Sequence, residues 1–175
     1  SCNSNERIYV TQGINAGTPC EPTVGEWNCA GRTNQGIFIR SSNCTITGNN
    51  HVAVTNTLEI NGTNTSMNHL VTITAANNHR HFYLNDANAT LILRYVKLVG
   101  GDVSSYSSNP FRLGGSILIY TNGGELNLYS SIVFNNKAYH GGGISAGDDS
   151  TNKNAIMNID NSIIHDNEAT EEGGG

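Results

Sequence analysis

Charge is scarce in this chain of 175 residues: Asp, Glu, Lys and Arg make up 13% of it, and the net charge is −5. With only 9 Lys and Arg and no basic run, it lacks the track that a phosphate backbone requires, and nucleic acid is not an expected partner. No apolar run approaches the roughly 20 residues needed to cross a bilayer, so no membrane-spanning segment is expected. Good helix formers are also thin. Asn, Ser, Thr and Gly dominate instead, with 20 glycines. Short polar side chains compete for backbone hydrogen bonds and each helical Gly costs about 1 kcal/mol, so the composition disfavours helices.

What the chain does have is a pattern written twice near its C-terminus, L-N-L-Y-S-S-I-V-F-N-N-K-A-Y-H-G-G-G and M-N-I-D-N-S-I-I-H-D-N-E-A-T-E-E-G-G-G. Leu126, Leu128, Ser131, Val133, Asn136 and Ala138 recur as Met157, Ile159, Ser162, Ile164, Asn167 and Ala169, a step of 157 − 126 = 31 residues. Leu91, Leu93, Val96, Leu98 and Gly101 occupy the same slots 126 − 91 = 35 residues upstream, so one connection there is expected to carry four extra residues. A fixed core pattern with length variation confined to loops specifies stacked coils. Short β-rich runs from Ile8-Tyr9-Val10 to the stretch Ala155 to Ile164, punctuated by Asn-Gly and Gly-Gly corners, agree with this.

Stacking turns the repeat into columns. Leu93, Leu128 and Ile159 form one predicted inward ladder and Leu98, Val133 and Ile164 another. Asn136 over Asn167 is a predicted inward amide ladder at a turn, while alternation sends Asn127 and Asn158 outward. The predicted fold is all-β: a parallel β-helix, or β-solenoid, forming one continuous domain. Residues 1–50 supply an N-terminal cap and first coils, and residues 51–175 supply the remaining coils.

All four cysteines, Cys2, Cys20, Cys29 and Cys44, fall in the first quarter, where the repeat is faintest. That suggests a disulfide-braced N-terminal cap and an oxidising, extracellular or cell-surface location. Four cysteines allow three pairings, of which Cys20 with Cys29 closes the shortest loop. No C-x-x-C or paired His spacing favours zinc. Glycosylation sequons stand at Asn43, Asn61, Asn64 and Asn88. In so Asn-rich a chain chance alone supplies roughly four or five, so it is the secretory context that makes these four candidate acceptors.

From about Thr72 to Gly175, the chain resembles right-handed, single-stranded parallel β-helix proteins, and within them the repeats of polymorphic outer membrane proteins and related secreted, adhesin-like chains. Gly142-Gly143-Ile144 matches that family's G-G-A/I element. Val133-x-x-Asn136 and Ile164-x-x-Asn167 match its F-x-x-N element, with an aliphatic residue in place of Phe. The resemblance implies a surface-displayed structural or adhesive role.

Parallel β-helix enzymes that cleave polysaccharides are the enzymatic alternative, and they need clustered carboxylates. The adjacent pairs Asp148-Asp149 and Glu171-Glu172 are expected in solvated loops, without a companion His, Arg or Lys motif in register. His79-Arg80-His81 is expected to form a surface turn rather than a metal or acid–base site. Neither catalytic residues nor a metal or cofactor are therefore expected. Trp27, Tyr106, Phe111 and Tyr120 could stack on sugars, which keeps a carbohydrate-binding module as a second alternative. The chain stops at Gly173-Gly174-Gly175, where the previous repeat continues into Ile144-Ser145-Ala146. An open coil edge templates further strands, so the expectation is either more coils or head-to-tail self-association into a fibre, with an exterior carrying glycans.

Overall fold

The computed structural model describes residues 8–12, 35–39, 43–45, 51–62, 65–108, 111–147 and 155–174, the first three segments by backbone alone. Among these residues the regular structure is β apart from one 3₁₀ turn at Met67–His69.

The chain winds through about four coils of short strands. β1 (Ile8–Gln12) precedes the coils. The first coil holds β2 (Gln35–Ile39), β3 (Asn43–Thr45) and β4 (Val52–Val54), and the second holds β5 (Thr57–Gly62), β6 (Val71–Thr74) and β7 (Phe82–Leu84). The third runs through β8 (Thr90–Arg94), β9 (Val96–Val99) and β10 (Ile117–Ile119). The fourth runs through β11 (Gly124–Tyr129), β12 (Ile132–Phe134), β13 (Lys137–His140) and β14 (Ile144–Ala146). A last partial coil holds β15 (Ala155–Asp160), β16 (Ile163–His165) and β17 (Glu168–Glu172). Equivalent strands pair in parallel, giving a first sheet β1-β2-β5-β8-β11-β15, a second β16-β12-β9-β6-β3, a third β14-β10-β7-β4, and the pair β13-β17. The exception is β1, which lies antiparallel on β2.

The columns fall where the repeat predicts. Leu128 is opposite Leu93 and Ile159, and Val133 is opposite Leu98 and Ile164. Leu91, Leu93, Leu98, Leu126, Leu128 and Val133 are fully buried. Each such side chain contributes about 1.5–3 kcal/mol only because a neighbouring coil covers it. In the partial coil the same columns are half covered: Met157 and Ile159 are each 45% exposed. Asn127 has the outward parity but is buried, its amide bonded to Glu125 and to Asn158.

Two corners recur in each of the later coils. Tyr95, Ser130 and Asn161 take up φ of 56°, 45° and 45° between the first and second sheets, and Gly100, Asn135 and Asp166 take up 77°, 53° and 51° after the second. Such a residue turns the backbone out of the ladder, so the next N–H needs another acceptor. The following coil supplies it. Ser131 Oγ accepts from Val96 N–H at 3.2 Å and Ser162 Oγ from Ser131 N–H at 3.1 Å. Asn136 Oδ1 accepts from Gly101 N–H at 2.8 Å and Asn167 Oδ1 from Asn136 N–H at 3.1 Å. The Ser and Asn of the repeat are therefore corner ladders, and Asn136 also donates to Asn167 at 2.9 Å.

The four extra residues of the third coil are a net figure. Asp102 pairs with Lys137 and Leu113 with His140, offsets of 137 − 102 = 35 and 140 − 113 = 27, so the loop between them is 35 − 27 = 8 residues longer. From Ile119 opposite Ala146 to Gly124 opposite Ala155 the offset returns from 27 to 155 − 124 = 31, so that connection is 31 − 27 = 4 shorter.

Candidate functional site

The long loop of the third coil builds a recess that brings titratable and aromatic side chains together. Its Val103, Tyr106 and Phe111 face His51, which precedes β4, and His79 and Arg80, which precede β7, around a pocket of about 140 Å³. Asn77 and Asn78 form the turn that delivers these two residues, Asn78 taking φ 59°. The expected surface turn at 79–81 is thereby corrected: Arg80 is 3% exposed and His81 fully buried. Phe111 and Ser116, 31 and 35 positions later, bond them, a separation that local polarity does not reveal.

Arg80 holds the loop down, its Nη2 donating to the Phe111 carbonyl at 2.6 Å. Its guanidinium carbon also stands 5.7 Å from the Tyr83 ring centre. Tyr106 is 6.0 Å from Phe111 and 6.4 Å from His79, ring to ring, and His51 meets Tyr83 edge-on at 5.1 Å. Phe111 remains 52% exposed. Burial, with the nearby charge of Arg80, pushes the His51 imidazole down to about 4. The same causes lower His79. Burial brings the Arg80 guanidinium down to about 10, against the favourable influence of Tyr83 and Tyr106. At neutral pH the pocket thus holds two neutral imidazoles and one cation.

His81 lies behind the pocket and is structural. Its Nε2 is 3.0 Å from the Ile73 carbonyl, which can only accept, so the proton sits on Nε2 and Nδ1 accepts from the Ser116 hydroxyl at 3.0 Å. Burial holds it down at about 4, against the backbone hydrogen bonds.

Of the four sugar-stacking candidates, Tyr106 and Phe111 come together, Tyr120 sits apart at 6.3 Å from Tyr83, and Trp27 lies outside the described residues. His51 and Tyr83 were not legible as site residues; the signal for them is the surplus length of the loop that reaches over them.

Among the described residues the carboxylates are spread over several elements. Asp160 ends β15 and Asp166 follows β16, on successive corners, while Asp148 and Asp149 lie outside the described residues. Glu171 and Glu172 belong to strand β17 rather than to a loop, and Glu171 accepts from the Tyr139 hydroxyl at 2.9 Å. Among the described residues no group of three or more His, Cys, Asp or Glu is placed to hold a metal.

Cys2, Cys20 and Cys29 lie outside the described residues and Cys44 is described by its backbone in β3, so the expected cap is not among the features seen. Of the sequons, Asn88 is exposed in a turn where its N–H and amide both bond Asp86, at 2.8 and 3.2 Å. Asn61 is half-buried in β5, donating to Glu59 at 3.0 Å. Asn43 is paired through its backbone opposite Thr72, and Asn64 lies outside the described residues. No helix among the described residues is long and apolar enough to cross a membrane.

Stacked parallel sheets around one apolar interior define the class: a parallel β-solenoid. Compared with known proteins, the chain matches no family model, no curated protein and no solved structure.

Proposed function

We propose that this chain is a structural segment of an extracellular filament or adhesive surface assembly, a β-solenoid whose coils build length and whose exterior carries N-linked glycans. The observation that supports this reading is the stack itself, in which columns such as Leu93–Leu128 are fully buried only because neighbouring coils cover them, so that stability grows with the number of coils. β15, β16 and β17 each bond one neighbour, and Met157 and Ile159 stay 45% exposed in columns that are fully buried one coil earlier. One more layer of strands in the same register would bury them and satisfy the open edge. A copy stacked head-to-tail is one source of such a layer and further coils of the same polypeptide are another. Head-to-tail contacts generate a fibre when the rotation does not close. The repeat's resemblance to surface-displayed β-helix proteins supports the location, and the exposed Asn88 turn is the acceptor best placed for a glycan.

The test is light scattering and electron microscopy of the purified chain over a concentration series, beside the Ile159→Lys variant. Expected is growth along one axis that the lysine abolishes while the circular dichroism stays β. A wild-type chain that remains a monomer at millimolar concentration would rule out self-association. A single covalent mass equal to that of the bare polypeptide after secretion from a glycosylating host would rule out the glycan.

A further inference from the structure

In the third sheet the second and third coils are joined by a short seam: β7 and β10 pair over three residues, where β5 and β8 pair over five. The ladder is irregular where that seam begins. The His81 and Phe82 N–H groups share the Ser116 carbonyl, at 2.8 and 3.1 Å. The side chains of His81 and Ser116 close the gap. His81 Nε2 donates to the Ile73 carbonyl of β6 and Nδ1 accepts from the Ser116 hydroxyl, each at 3.0 Å, and both residues are wholly out of water. The Val99 backbone of β9 also faces the ring. An apolar side chain would fill a buried corner without such partners, so the imidazole brings a property that packing does not ask for, which is that it titrates.

We propose that the His81–Ser116 pair is an acid-sensitive latch, holding β7 to β10 while the imidazole is neutral and opening that seam when it takes up a proton, with the first sheet still stacked. A second proton goes on Nδ1, where it meets the hydroxyl hydrogen that Ser116 points at that atom. The hydroxyl must turn away and a cation is left in a corner without water, a cost that opening the seam removes. The surroundings add no relief. β6 and β9 present backbone to the ring, and the segment before β10 a hydroxyl. Its own segment carries Arg80 and His79, His51 stands before β4 across the pocket, and Tyr83 and Tyr106 lie near Arg80. Asp102, whose N–H bonds the His79 carbonyl, has its carboxylate on Ser104. A proton on His81 therefore puts like charges on consecutive residues, Arg80 and His81. Burial keeps the native imidazole neutral down to about 4, against the backbone bonds, while in the opened seam it returns to 6.5. Acid thus favours opening, by about thirtyfold at pH 5. The opening is local because β5, β8, β11 and β15 pair over five or six residues and contain no histidine. The latch acts within one chain, whether or not copies stack.

The experiment is native-state hydrogen exchange of the full chain at pH 7 and pH 5 over a series of low urea concentrations, read as protection factors, with an NMR titration of the His81 ring. The amides to follow are His81 and Phe82, and Tyr120, whose N–H bonds the Leu84 carbonyl at the far end of the seam. Expected at pH 5 is a protection of these amides at least about tenfold lower than at pH 7 and independent of urea, while the β11 amides stay better protected and follow the urea dependence of global unfolding. His81→Gln offers an amide in place of the ring, able to donate to Ile73 and accept from Ser116 but not to titrate, and should reduce the acid response to less than about threefold. Ser116→Ala is the companion variant should the glutamine disturb the fold. It removes the hydroxyl that favours the neutral ring and should raise the midpoint of the His81 titration by at least about half a pH unit, where a merely structural role would lower protection equally at both pH values. Equal protection of the seam at pH 7 and pH 5, a seam that at pH 5 exchanges only with β11 in global unfolding, an acid response retained in His81→Gln, or an unmoved His81 midpoint in Ser116→Ala would overturn the proposal.

Discussion

Asn136 concentrates more of the solenoid's corner bonding than any other side chain in the fourth coil, and replacing it tests the account of the corners. It is 1% exposed. Its amide donates to the Phe134 carbonyl at 3.0 Å, to the Leu98 carbonyl at 3.3 Å and to Asn167 Oδ1 at 2.9 Å, and its Oδ1 accepts from Gly101 N–H at 2.8 Å. Asn136→Ala deletes both ends at once. The Gly101 N–H stays buried behind the corner without that acceptor, and each buried polar group left unpaired costs about 1–3 kcal/mol. Counting the Gly101 donor and the amide's acceptors, with a small cavity added, the expected loss is about 3–5 kcal/mol, a large part of a typical domain's stability. Asn136→Asp keeps the shape and the Gly101 bond but turns an anionic oxygen towards two carbonyls and an amide oxygen. Its folded carboxyl pKa is raised, so the native state binds the proton first and the deficit shrinks as pH falls through that value. Urea denaturation at pH 7 and pH 5, with hydrogen exchange at Gly101, measures both variants. An Asn136→Ala cost under about 1 kcal/mol, or unchanged protection of the Gly101 amide, would refute the reasoning.

The wild-type chain should respond to acid in the opposite direction. The His51 and His81 imidazoles sit at about 4 in the fold against 6.5 when unfolded, so between those values the unfolded chain takes up protons that the native state refuses. Stability is intact above pH 6.5 and falls as pH drops towards 4, by about 2 kcal/mol for each histidine at pH 5; equal urea midpoints at pH 7 and pH 5 would contradict this. Gly115→Ala should unfold or misregister the third coil, because the added carbon would stand 2.1 Å from the Gly142 carbonyl oxygen and 2.7 Å from backbone atoms of Lys137. Limited proteolysis of the loop 104–112 and the circular dichroism spectrum report it, and a native-like variant would show that the coils can spread. Glu59→Gln, which breaks the 3.0 Å pair with Arg94 on the outer face of the first sheet, should cost less than about 1 kcal/mol in urea, since both partners are over a third exposed or close to it; a loss above about 2 kcal/mol would mean that this face is not solvated.

The columns Leu93–Leu128–Ile159, Leu98–Val133–Ile164 and Asn136–Asn167 are legible in the sequence because a coil repeats its inward residues at a fixed offset. The corners are not. The apolar runs from Ala89, from Gly124 and from Ala155 read as single strands, yet each breaks at a residue with positive φ, Tyr95, Ser130 or Asn161, where no glycine advertises a turn. β4, β13, β14 and β17 also escape local reading. Three to five residues long, and in β17 spelled Glu-Ala-Thr-Glu-Glu, they are strands because a neighbouring coil presents a ladder, not because their composition asks for one. The pocket was hidden for a related reason. Its loop is eight residues longer and the next connection four shorter, so the sequence displays only their difference, and Arg80 and His81 are bonded by groups 31 and 35 residues away.

The corner ladders all point one way. The serine or asparagine that satisfies a corner N–H belongs, at Val96, Ser131, Gly101 and Asn136 alike, to the coil that comes after it. Each turn is therefore latched by its successor and cannot be released until that successor has gone. Under tension the rod should peel from its C-terminal side, one latch at a time, while a pull on the opposite end meets corners that are still locked. A single turn of 31 residues frees about 100 Å of extended chain, so such a rod would lengthen in discrete steps and hold its remaining turns intact between them.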